Sequence, residues 1–162
     1  MSLGISALAL DENRLYLLVM PNTKPLLTAA FLCEQVLVEK DGVVTAVRIV
    51  DRLSIDYHTD QPDIPAIPFQ LTFLVMVKSG SLKGRWELSL RIRTPTDKII
   101  DTVKHQVELK GEEQGANWIL KLTMPVRGSG LYWFDVYAAE ELLTSVPLRI
   151  TLTRLTEKPQ RG

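Results

Sequence analysis

The chain has 162 residues, 46% of them hydrophobic, and its nineteen Lys and Arg are balanced by nineteen Asp and Glu. Leu, Val, Ile and Phe form about a third of it, well above the roughly one-fifth share below which disorder sets in. The zero net charge argues against a general binder of nucleic acid or acidic membrane, and a lone cysteine, Cys33, excludes an internal disulfide or a multi-cysteine metal centre.

Two short apolar runs open the chain, residues 5–10 and 15–20, separated by Asp11-Glu12-Asn13-Arg14. They read either as a hairpin or as an extension upstream of Met20. The regular pattern begins only at Leu26, which favours the extension. Residues 1–23 are therefore set apart from a domain spanning 24–156, and residues 1–20 are expected to be dispensable for folding. A secretory signal starts with basic residues ahead of its apolar run, but the first basic residue here is Arg14. Neither run approaches the roughly 18 apolar residues of a membrane-crossing helix. With an unpaired cysteine, the expected location is cytoplasmic, away from membranes.

From Leu26 onward the hydrophobic period is two, the mark of half-buried strands. Residues 26–39 and 43–55 flank Lys40-Asp41-Gly42, and Asp-Gly between β-rich runs signals a hairpin. Val43, Val47, Ile49, Leu53 and Ile55 are expected on one face of the second strand, interrupted by Asp51. A proline-bearing loop, 56–68, is the best candidate for a passage between sheets. Leu71, Phe73, Val75 and Val77 then share a face. Trp86, Leu88, Leu90 and Ile92 are expected inside, with Arg85, Glu87, Ser89, Arg91 and Arg93 outside. Further inward sets are Ile99, Val103, Val107 and Leu109, then Trp118, Leu120, Leu122 and Met124. The last pair contributes Tyr132, Phe134 and Val136, then Val146, Leu148, Ile150 and Leu152. Residues 157–162 read as a frayed tail. About eight alternating strands with Gly and Pro turns predict an all-β, two-layer antiparallel sandwich with one or two crossings between sheets.

Two segments carry a family likeness. One comprises Phe31-Leu32-Cys33-Glu34, Asp41-Gly42 and Ile49-Val50-Asp51-Arg52-Leu53. The other is Gly130-Leu131-Tyr132-Trp133-Phe134-Asp135-Val136-Tyr137 with Pro147-Leu148-Arg149-Ile150. Together they resemble a family of short bacterial β-sandwich proteins catalogued only as a domain of unknown function, over about residues 24–153. Its members place a glycine in the final hairpin, where this chain has Ala138-Ala139-Glu140-Glu141. The resemblance implies a fold and transfers no activity.

The residues that could carry chemistry are few. His58 lies in the 56–68 loop, and His105 falls in register with Val103 and Val107, as a packing residue near a sheet edge would. No Gly-x-Ser-x-Gly elbow supports a hydrolase. Cys33 alternates with Phe31 and Leu37 and reads as a small hydrophobe. Asp56, His58, Asp60 and Asp63 are the only ligand-rich cluster, spaced so that they could wrap a hard cation but matching no specific motif. Gly128-Ser129-Gly130 feeds a strand and is a turn rather than a phosphate loop. Lys83, Arg85, Arg91 and Arg93, with Glu87 among them, read as a solvated face.

The distinctive surface is aromatic. Leu131, Trp133 and Tyr137 are opposite in phase to the core-facing Tyr132, Phe134 and Val136, and Ile119 shares that outward phase. Exposed Trp and Tyr are enriched where proteins meet. The expectation is a non-enzymatic binding or assembly module without a cofactor, meeting a protein partner or another copy of itself at Leu131, Trp133 and Tyr137. The rival for that surface is cover by residues 5–20. The alternative function is an ion- or small-ligand-binding sandwich using residues 56–63.

Overall fold

In the computed structural model, which describes residues 8–11, 14–17, 23–59, 63–112 and 114–155, every regular element is a β-strand. Strands β1 (Leu8–Asp11) and β2 (Arg14–Leu17) pair only with each other. The nine that follow are β3 (Leu26–Val38), β4 (Val44–Val50), β5 (Arg52–Tyr57), β6 (Ile67–Lys78), β7 (Lys83–Arg93), β8 (Ile99–Lys110), β9 (Gly115–Val126), β10 (Gly130–Ala138) and β11 (Glu141–Arg154). They build two sheets, a four-stranded one in the order β4-β3-β6-β9 and a five-stranded one in the order β5-β11-β10-β7-β8. The expected sandwich is present, and its ladders are antiparallel except for the edge pair β5–β11, which is parallel.

The ninth strand arises where the alternation suggested one continuous run. Residues 43–55 break at Asp51, whose carbonyl accepts a hydrogen bond from Arg149 N at 3.0 Å and hands the chain across to β11. The expected common face breaks with it. Leu53 and Ile55 pack against the core from the five-stranded sheet. On β4 it is Val50 that packs inward, opposite Leu32, while Val43 and Ile49 are 58% and 62% exposed. The 56–68 loop is a passage between sheets, as expected, but the chain also changes sheet at β4/β5, β6/β7, β8/β9 and β9/β10. Strand alternation reports which face is buried, and the inner faces of both sheets look alike, so it is silent about sheet membership.

The inner faces interlock along Leu71, Phe73, Val75 and Val77 on one sheet, and Leu88, Leu90, Ile92, Phe134 and Val136 on the other. At the centre the rings of Phe73 and Phe134 lie 5.7 Å apart, tilted by 32°. Near the β8/β9 edge, His105 stacks on the buried Trp118 at 5.4 Å, the packing role its register suggested. Two inward expectations are corrected. Trp86 is half-buried rather than buried, because it sits at the rim beside the exposed Gly84 and Arg85. Ile99 is 52% exposed, because a register shift between Ile92 and Arg93 turns Ile100 inward in its place.

Two turns position the rest. Asp41-Gly42 forms the expected hairpin, with Gly42 at φ 84° and Asp41 Oδ1 accepting from Val43 N at 3.1 Å. The passage into β10 is locked by Tyr132, whose hydroxyl donates to Gly128 O at 3.0 Å. Gly130, at φ 143°, lies so close to Pro95 that an added Cβ would stand 2.6 Å from the ring.

Candidate functional site

β10 runs through the middle of the five-stranded sheet, between β11 and β7. Its odd-numbered residues point away from the sandwich, as their phase predicted. Trp133 lies between Pro147 and Arg93, Asp135 between Ser145 and Arg91, and Tyr137 between Leu142 and Ser89. Leu131, Trp133 and Tyr137 are all half-buried.

Asp135 organises this face. It is only 3% exposed, although it stands on the outer side of the sheet. Arg93 clasps it with two donors, Nε to Oδ2 and Nη2 to Oδ1, the latter at 3.1 Å. Ser145 Oγ donates to Oδ1 at 2.6 Å. Burial pushes the Asp135 carboxyl upward, but the hydrogen bonds from Arg93 and Ser145 and the positive charges of Arg93 and Arg91 outweigh it, holding the group below the ordinary carboxylate range. The same hydrogen bonds, with those to Asp97, raise Arg93 above an ordinary guanidinium. Arg91 lays its guanidinium 4.2 Å from the centroid of the Tyr137 ring and reaches Glu140 at 3.6 Å. A guanidinium over an aromatic face is held by the ring quadrupole.

Leu131, Trp133 and Tyr137 therefore share a face with Arg91, Arg93 and Asp135, which the sequence reading left out of the site. The available signal was the outward phase of Arg91 and Arg93, but only the pairing of β7 with β10 brings them over this hairpin. Farther along the basic row, Glu87 and Lys104 pair at 2.8 Å. Ile119 does not join this surface. It lies on β9, in the other sheet, so its outward side is the opposite side of the molecule.

The remaining candidates lie elsewhere. Asp56, at the end of β5, and His58 and Asp63 beyond it are exposed, and Asp60 lies outside the described residues. Among the described residues no three His, Cys, Asp or Glu converge as a metal site would require. Cys33 is fully buried, and burial pushes its thiol pKa up, away from the thiolate a nucleophile needs. A cavity of about 310 Å³ on the four-stranded sheet is lined by Glu34, Gln35, Gln70, Thr72, Lys121 and Thr123, among others, and contains no histidine.

Among solved structures, the chain is similar to a Bacteroides uniformis beta-glucuronidase 2, at 17% identity and a TM-score of 0.41, covering 53% of this chain and 12% of that one. It is also similar to a beta-glucosidase from Listeria innocua, at 11% identity and a TM-score of 0.44, covering 66% of this chain and 15% of that one. The chain thus spans a small fraction of either enzyme, and none of their chemistry is carried over. No curated protein matches it. A family model does match, over residues 28–151, with the description "Family of unknown function (DUF6941)". That match spans most of the sandwich, from β3 into β11, and the chain belongs to this family of unknown function.

Proposed function

We propose that the protein is a non-enzymatic binding module that meets a protein partner, or a second copy of itself, through the outer face of the five-stranded sheet. The observation that carries this reading is the row of Trp133, Tyr137 and Arg91 at the centre of that sheet, half-buried yet not part of the core. Trp, Tyr and Arg are the residue types that dominate binding energy at protein interfaces. The Asp135 clasp supports the reading further, because it holds Arg93 in place before any partner arrives, and a preorganised side chain loses less entropy on binding.

The double substitution Trp133→Ser and Tyr137→Ser tests it. Light scattering over a range of concentrations should show wild-type association that the variant loses, with the melting temperature nearly unchanged. A variant that is strongly destabilised while keeping the wild-type size would place these side chains in the protein's own core and end the proposal.

A further inference from the structure

The outer face of the four-stranded sheet carries an apolar patch. Strand register places Phe31, Leu74 and Ile119 in one row across β3, β6 and β9, and Ile49, Cys33, Thr72 and Lys121 in the next, continuing onto β4. Met76 lies one row beyond Leu74. The neighbours of these residues along each strand, such as Leu32, Phe73 and Val75, fill the sandwich core, so the rows themselves face away from it. Nonetheless Leu74 is 1% exposed, Cys33 0% and Thr72 4%. Cys33 and Leu74 do not belong to the core cluster. The other sheet lies on the far side of the core, and the principal neighbours of β6 are β3 and β9 in its own sheet.

We propose that residues 1–22 dock across this face as an apolar strap. The chain is placed for it. Pro25 is buried and Lys24 is paired with Glu141, so the segment leaves the sandwich directly before β3, one of the strands that carries the face. Leu26 to Cys33 is seven residues, about 23 Å of strand, and a 22-residue segment folded back on itself reaches about 35 Å each way. Its composition suits the surface, with Ile5, Leu8, Leu10, Leu15, Leu17 and Leu18 among its residues. β1 and β2 form a two-stranded ladder with Leu8 opposite Leu17 and Leu10 opposite Leu15. An isolated two-stranded ladder is at best marginally stable in water and needs an apolar surface to lie on. The outer face of the five-stranded sheet instead surrounds Leu131, Trp133 and Tyr137 with Arg85, Glu87, Arg91, Arg93 and Lys104.

Cys33, the sole cysteine, reports on the strap. In the full chain its reaction with Ellman's reagent should be slow, and in a chain beginning at Thr23 it should accelerate by about tenfold or more as cover is lost. Independently, Leu8, Leu10, Leu15 and Leu17 are replaced by cysteine one at a time in the full chain. Under mild oxidation at least one should close an intramolecular disulfide with Cys33, seen as a mobility shift without reductant. An unchanged Cys33 rate in a shortened chain that still melts cooperatively overturns the proposal. If the shortened chain does not melt cooperatively, failure of all four cysteine variants to reach Cys33 overturns it.

Discussion

Asp135 shows how one charge can stabilise a sheet surface. Removing it leaves Arg93, whose side chain is 30% exposed, without its bidentate acceptor. Breaking a fully buried pair costs about 3–5 kcal/mol, and partial hydration of the arginine reduces the expected loss for Asp135→Ala to about 2 kcal/mol. The pH dependence follows from the lowered carboxyl. A carboxyl depressed in the folded state contributes stability that is present above its unfolded value, about 3.9, and lost as pH falls through the folded value. Urea melts between pH 7 and pH 3 should therefore show the gap between wild type and Asp135→Asn narrowing below about pH 4. A gap that stays constant would mean the carboxylate is not the stabilising partner. Ala139 is the other instructive residue. It takes φ 51° in the final hairpin, and its amide donates to Glu87 O at 2.8 Å. A left-handed L-residue costs roughly 1–2 kcal/mol, part of which glycine returns as backbone entropy. Ala139→Gly should raise stability by about 0.5–1 kcal/mol, measurable by denaturant melts.

At the scale of the element, β7 serves both sides of its sheet. Leu88, Leu90 and Ile92 fill the core, while Arg91 and Arg93 cover β10 from outside. Trp86 begins the buried series but stands half-buried at the rim. Full truncation of a buried aromatic costs about 3–5 kcal/mol, so Trp86→Ala should cost about 2 kcal/mol. A loss below about 0.5 kcal/mol would mean that the rim contributes nothing to packing. β4 and β5 show how little is needed to move a chain between sheets. One residue, Asp51, separates them, and its exposed carboxylate is compatible with the surface but not with a buried strand.

At the scale of the molecule, nine strands in two layers enclose one core, and the match to the family covers residues 28–151 of it. Among the described residues, that core is drawn from Leu27 to Leu152. A chain beginning at Met20 should melt in one cooperative transition, a few degrees below the full chain under the strap proposal. Calorimetry checks this, and a broad, non-cooperative transition would show that the first strands are integral to the sandwich. Under the two proposals the outer faces have different roles. One is charged and aromatic and is proposed to meet a partner, while the other is apolar and proposed to be covered from within.

The sequence by itself determined the fold class, nearly every strand, and the inward or outward phase of most residues, because burial on one face forces a period of two. It also marked Trp133 and Tyr137 as outward, since Tyr132 and Phe134 had already claimed the core side. Tertiary structure alone decided which strands are neighbours. Pairing joins residues such as Arg93 and Asp135, forty-two positions apart, whose mutual attraction leaves no local periodicity to detect. Hence the arginines over β10, the division at Asp51 and the removal of Ile119 to the opposite side were not legible in the chain. Alternation records one bit per residue, inside or outside, and a binding face is built from the adjacency that this bit does not encode.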